Sequence, residues 1–182
     1  LNGSFGSGVT VAGGGFLLNN EMDDFSIKPG YPNMYGLVGS EANAIAPGKR
    51  MLSSMSPTFV LEGDSLFMVV GTPGGATIPT SVLQVISNVI DFRMPLDQAI
   101  AEGRFHEQYL PDEIFIENGA LAAPVIAALT EMGHKVSVRS DIGDVQAIMI
   151  RSGRHRWDSH VPGGGRLLGV SDPRRNGRAI GY

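Results

Sequence analysis

The sequence has 182 residues, 42% of them hydrophobic and 18% charged, with 14 Lys and Arg against 18 Asp and Glu for a formal net charge of −4. That is enough apolar material for one packed domain over residues 1–182, and the scattered basic residues, apart from a short Arg-containing stretch near the C-terminus, argue against nucleic-acid binding. Every apolar run is broken well short of a bilayer's thickness, so no membrane span is expected. With no cysteine there is neither disulfide nor thiol chemistry, and the redox compartment stays open.

The chain opens on LNGSFGSG with neither a Met nor a signal peptide before Leu1, so it is read as a cleavage product or a truncated piece of a longer polypeptide. Residues 9–12 and 16–18 are β-prone runs around Gly13, Gly14 and Gly15, the pattern of a hairpin or sharp bend. NNEMDDF follows, residues 19–25, with Glu21, Asp23, Asp24 and two amides close together. Such a cluster is either a solvated turn, since Asn and Asp side chains bond to nearby backbone, or a receptor for a cation. Residues 26–50 are rich in Pro and Gly without periodicity, a long lid-like loop.

MLSSMSPT, residues 51–58, leads into strands at 59–62 and 65–71, joined at Gly63 and Asp64 as a hairpin. After GTPGG, residues 71–75, Val82, Ile86, Val89 and Ile90 recur at helical spacing, which predicts a helix over 79–92 with one buried face. A second helix is expected over 95–102, with Pro95 suited to its first turn. A strand over 113–117, a helix over 121–132 stopped by Gly133, and strands over 136–139, 146–151 and 167–171 complete the reading. The polar, Gly-rich residues 151–166 read as a surface excursion. Helices and strands grouped in this order predict a layered α+β arrangement with antiparallel strands.

Three features carry chemistry. GTPGG stands between a strand and a helix, where consecutive glycine amides either serve a tight turn or bind an anion such as a developing oxyanion. It is not a Walker loop, and GSGVTVAGGG lacks dinucleotide-fingerprint spacing. LSSMSP presents the adjacent hydroxyls of Ser53 and Ser54, outside any nucleophile elbow and therefore suited to binding a carboxylate or local backbone. His106, His134, His155 and His160 lie in separate contexts, and NNEMDDF lacks the alternating acidic loop of a calcium site, so no metal or other cofactor is expected. An acidic cluster for an ammonium, a hydroxyl pair for a carboxylate and glycines for an oxyanion describe a pocket for an amino acid attacked at its acyl carbon. A nucleophile is missing from this set.

NNEMDDF, PNMYGLVGSEANAI, PGKRMLSSMSPT, GTPGG, RFHEQYLPDE and the ending SDPR…GY together resemble the small subunit of γ-glutamyltranspeptidase, in the family's order and near its spacing, over nearly the whole chain. The resemblance implies an N-terminal-nucleophile hydrolase fold, a four-layer αββα sandwich completed by a large subunit of the same precursor after self-cleavage. It implies a transferase and hydrolase acting on glutathione and related γ-glutamyl amides, in the periplasm or secreted. By that resemblance Glu21 and Asp24 hold the substrate ammonium with help from Asn2, while Ser53 and Ser54 bind its carboxylate. Gly74 and Gly75 form the oxyanion hole, and Tyr35 is an aromatic gate on the lid loop. The family's nucleophilic threonine corresponds to a position before Leu1, so this stretch on its own is expected to be inactive. The alternatives are an acylase for glutaryl or similar side chains, a poly-γ-glutamate-processing enzyme, or a non-catalytic binding subunit.

Overall fold

The computed structural model describes residues 3, 5–150 and 166–180. Asn2 and residues 151–165 of the predicted excursion lie outside the described residues. The chain forms two compact units, Leu1–Ser54 and Met55–Tyr182.

The first unit is built from turns. The expected hairpin is present as a short antiparallel bridge between Thr10 and Leu17, with Val11 N–H donating to Phe16 O and Leu18 N–H to Val9 O. A Cβ on Gly14 would come within 2.9 Å of the Phe16 ring, so the bend needs a glycine there. NNEMDDF closes into a single 3-10 turn, Glu21–Asp24. The lid-like loop folds into further turns, including a Pro32–Val38 bridge and a second 3-10 turn at Glu41–Asn43. Among the described residues of this unit Phe25 and Ser26 are buried, where a parallel bridge joins Ser26 to Ala44.

The second unit holds the regular elements: β1 Thr58–Glu62, β2 Ser65–Gly71, α1 Ile78–Ile90, α2 Leu96–Ala101, β3 Phe105–His106, β4 Ile114–Glu117, α3 Ala123–Glu131, β5 Val136–Arg139, β6 Gln146–Ile150 and β7 Leu167–Ser171. One sheet has the order β1-β2-β6-β7 with every pair antiparallel, and the other has the order β3-β4-β5. Alternation along the strands turns Met68, Val70, Ala147 and Met149 to one face, where they pack on Val82, Val85 and Val89 of α1 and on Leu96 and Ile100 of α2. The spacing read in the sequence thus marks the buried stripe of α1. On the opposite face of the same sheet Phe59, Leu61, Ile148 and Leu167 stay exposed.

One expectation is corrected. β4 and β5 pair in parallel, with Ile114 opposite Val136 and Glu117 opposite Arg139. The cause is α3, which lies between them: a strand, a helix and a strand returning to the same sheet make a crossover, and a crossover brings the second strand back parallel. The two-residue strand β3, antiparallel to β4, was too short to show a period in the sequence.

Four charged side chains lock this unit internally. Arg104 is 1% exposed and donates to Asp172, to Ile100 O and to Ile142 O. Arg174 donates to Glu117, Asp172, Ile100 O and Glu102 O. Glu117 also accepts the Arg104 and Ile142 backbone amides, and Asp172 accepts those of Val145 and Arg174. The cluster therefore ties the end of α2, the end of β4, the 142–145 loop and the end of β7 to one point.

Burial alone would raise both acids. For Glu117 the Arg174 bond and the two backbone donors outweigh it, and for Asp172 the backbone donors and Arg104 do, so both carboxyls titrate below their ordinary values of 4.5 and 3.8. A carboxyl depressed on folding stabilises the native state above its unfolded value, and that contribution is lost as the pH falls through the folded value. Urea denaturation midpoints should accordingly fall as pH drops below the ordinary carboxylate range. Asp172→Asn should lower the neutral-pH midpoint and flatten the acid decline. An acid decline as steep as that of the parent would show that Asp172 is not its source.

Candidate functional site

Hydrogen bonds fix the backbone of NNEMDDF and tie it to the lid-like loop. Asn19 Oδ1 accepts Glu21 N–H at 3.1 Å, which starts the 3-10 turn. Asp23 Oδ2 accepts Met34 N–H at 3.0 Å, and Asn33 Nδ2 donates to Asp23 O at 3.3 Å. Asp23 is thereby committed to holding the lid-like loop. Asn33 Oδ1 also accepts the amides of Tyr35 and Leu37, both at 3.0 Å, and so shapes the tip that carries Tyr35. The Tyr35 hydroxyl accepts Gly3 N–H at 3.1 Å.

Asn43 joins the acidic turn to the serine segment. Its Nδ2 donates to Asp24 O at 2.7 Å, and its Oδ1 accepts Leu52 N–H at 3.0 Å. One side chain fixes the backbone of the acid on one side and of the residue just before Ser53 on the other. A cavity of about 470 Å³ opens beside it, lined by Asp24, Ser54, Asn33, Asn43 and Leu52 among others. Asp24 and Ser54 therefore both border one space, as does Asp23; Glu21, Ser53 and Tyr35 stand on the adjoining segments, outside its lining. Lys28 also borders the cavity, its ammonium 3.5 Å from the centre of the Tyr31 ring. A carboxylate and a hydroxyl across such a space can hold an ammonium and a carboxylate on one small molecule, and charge-assisted bonds of this kind are the strong ones.

Asn33 and Asn43 were not singled out from the sequence, although each organises this cavity. Asn43→Ala would leave Asp24 O and Leu52 N–H without that partner, at a cost of about 1–3 kcal/mol if the groups stay dry. The expected result is a lower denaturation midpoint together with a raised KM, measured on the whole protein. An unchanged KM would remove Asn43 from the site.

In the second unit GTPGG runs from the end of β2 into α1. Gly74 has φ 149° and ψ 7°, and Gly75 has φ 57° at the start of the 3-10 turn Gly75–Thr77, which continues directly into the thirteen residues of α1. Both φ values belong to conformations that side chains disfavour, and a Cβ on Gly74 would stand 2.5 Å from Thr77 Oγ1. The turn thus places consecutive glycine amides at a helix N-terminus, with Gly74 exposed and Gly75 half-buried.

His106 is 2% exposed, with Nδ1 at 2.9 Å from Thr80 Oγ1 and Nε2 at 2.8 Å from Gln108 Oε1. His155 and His160 lie outside the described residues. Among the described residues no group of three or more His, Cys, Asp or Glu side chains could hold a metal ion, and no helix is long and apolar enough to cross a membrane.

Comparison with known proteins is consistent over the whole chain. The family model described as Gamma-glutamyltranspeptidase matches residues 1–182. The chain is 50% identical over 184 aligned residues to the glutathione hydrolase proenzyme of Pseudomonas aeruginosa, covering 100% of this chain and 30% of that protein. It superposes on a Helicobacter pylori gamma-glutamyltranspeptidase mutant with a TM-score of 0.84 at 51% identity, covering 96% of this chain and 89% of that one. For the Pseudomonas nitroreducens enzyme complexed with L-DON, the TM-score is 0.82 at 48% identity, with 100% and 88% covered. The α+β architecture is therefore that of the N-terminal-nucleophile hydrolases. The chain spans less than a third of the length of the curated relatives it matches. It belongs to the gamma-glutamyltranspeptidase family.

Proposed function

We propose that this chain is the glutamyl-binding and oxyanion-stabilising part of a γ-glutamyl transferase and hydrolase acting on glutathione and related γ-glutamyl amides. The observation that carries the reading is the cavity that Asp24 and Ser54 both line, which brings an acidic and a hydroxyl residue to one small-molecule space. In this reading Glu21 and Asp24, with Asn2, take the α-ammonium of the γ-glutamyl group. Ser53 and Ser54 take its α-carboxylate, and the amides of Gly74 and Gly75 take the oxyanion. The nucleophilic threonine comes from outside these 182 residues. Its hydroxyl attacks the γ-carbonyl, the amine of the scissile amide leaves with a proton, and water or an amino acid or dipeptide amine then attacks the γ-glutamyl ester.

The partner is a large subunit cut from the same precursor, a reading supported by the share of the relatives' length that this chain spans and by the exposed apolar face of the β1-β2-β6-β7 sheet. The place of action is the periplasm or the exterior, as the resemblance implies. An acylase for glutaryl groups is the second reading, and Asp24 on the cavity speaks against it, because a glutaryl group has no ammonium to pair with it.

Hydrolysis of γ-glutamyl anilide and of glutaryl anilide by the assembled enzyme decides between them. The expected result is a strong preference for the γ-glutamyl compound, whereas equal rates would establish the acylase. The gate is tested separately. Tyr35 is carried on the Asn33-shaped tip, where its ring can close over a bound group as gating loops do. Tyr35→Ala should change the ratio of hydrolysis to transfer, measured with and without a dipeptide acceptor, while the denaturation midpoint stays near that of the parent. An unchanged ratio removes Tyr35 from the mechanism.

A further inference from the structure

The two amides assigned to the oxyanion belong to the peptide groups Pro73–Gly74 and Gly74–Gly75. A peptide group is planar and trans, so its N–H points opposite to its C=O, and holding the carbonyl aims the amide. Each of these carbonyls is held by a threonine hydroxyl. Thr72 Oγ1 donates to Pro73 O at 2.7 Å, and Thr77 Oγ1 donates to Gly74 O at 2.9 Å, where Thr77 N–H also arrives at 3.1 Å.

The Thr72 hydroxyl is itself fixed, and the Thr77 backbone is pinned. Thr72 Oγ1 accepts Asp144 N–H at 2.8 Å from the 142–145 loop, which the buried ion-pair cluster clamps through Ile142 and Val145. Thr77 is 6% exposed, and Thr80 Oγ1 donates to its carbonyl at 3.1 Å while lying 2.9 Å from His106 Nδ1. The Gln108 amide donates from Nε2 to Leu110 O and holds its Oε1 2.8 Å from His106 Nε2. The hydroxyls narrow the range over which the two peptide planes can turn, beyond what the Thr77 N–H bond to Gly74 O allows, since a glycine pair imposes little conformational preference of its own.

We propose that Thr72 and Thr77 are the positioning residues of the oxyanion hole, each hydroxyl holding one peptide plane so that Gly74 N–H and Gly75 N–H converge on the same oxygen. The proposal deepens the oxyanion assignment of GTPGG and rests on it. Both threonines act through the glycine amides, so they should affect the tetrahedral state far more than substrate binding.

The test uses the assembled, matured enzyme with γ-glutamyl anilide. Thr77→Val and Thr72→Val keep the side-chain shape and delete the hydroxyl; Thr77→Ser and Thr72→Ser keep the hydroxyl and delete a methyl. Each Val variant should lose about tenfold in kcat with KM within about twofold, and each Ser variant should stay within about twofold of the parent. Binding of a tetrahedral phosphonate analogue of the γ-glutamyl group should weaken in the Val variants by the same factor as kcat. Should one Val variant fail to mature, the other carries the same decision.

Parental turnover in a matured Val variant would overturn the proposal, as would Ser variants as slow as their Val counterparts, because the methyl and not the hydroxyl would then matter. Gly75→Ala measured alongside separates the two levels. If it also turns over normally, the oxyanion assignment itself fails. If it is slow while the Val variants are not, only the positioning role fails.

Discussion

On the proposed assignment, Asp24→Ala in the assembled enzyme should lower kcat/KM for γ-glutamyl substrates by about two to three orders of magnitude. The physical basis is the ammonium left without its counter-charge inside the cavity that Asp24 lines. Truncating one member of a hydrogen-bonded charge pair at a desolvated interface costs roughly 2–5 kcal/mol, much of it the penalty of leaving the other charge unpaired. Asp24 is half-buried, so the middle of that range applies. A control isolates the cause: glutaryl anilide carries no ammonium, and its slow background hydrolysis should be nearly indifferent to the substitution. Two outcomes count against the receptor role of this turn. One is near-parental efficiency on the γ-glutamyl substrate; the other is an equal loss on both substrates, which would mean that the turn had been disrupted and not discharged.

Asp23 makes a useful contrast within the same motif. Its carboxylate accepts Met34 N–H and so holds loop structure, while both Asp23 and Asp24 line the cavity. Composition could mark NNEMDDF as unusual, but it could not divide the labour among three neighbouring acids, because that depends on which way a one-turn 3-10 segment points each side chain. The two asparagines that organise the cavity were hidden for a related reason. Asn33 and Asn43 sit in stretches where amides are ordinary turn formers, and the long-range bond from Asn43 to Leu52 has no local signature.

Regular elements were far more legible. The period of Val82, Val89 and their neighbours marks the buried stripe of α1. Pairing direction was not legible in the same way: periodicity shows that 113–117 and 136–139 are strands, whereas their parallel arrangement comes from the crossover through α3. The ion-pair cluster of Arg104, Glu117, Asp172 and Arg174 was silent too, since it joins positions far apart in the chain and nothing local distinguishes a buried Arg from a solvated one.

Gly75→Val should reduce kcat by about two to three orders of magnitude with a much smaller change in KM. Losing one oxyanion donor typically costs about 2.7–4 kcal/mol in the transition state, and the ground-state carbonyl depends on that donor less than the tetrahedral intermediate does. Gly75 has φ 57°, in the left-handed region where a β-branched residue is a genuine outlier. Valine there either turns the Gly74–Gly75 peptide away from the oxyanion or forces the beginning of the 3-10 turn Gly75–Thr77 to shift, and both outcomes misdirect the amide. Maturation of the precursor has to be checked first on a gel, because self-cleavage is itself an acyl transfer that can use the same donors. Pre-steady-state measurement of anilide release then reads acylation directly, so a slowed later step cannot imitate the loss. Matured Gly75→Val enzyme that releases anilide at the parental rate would reduce GTPGG to a turn that starts α1.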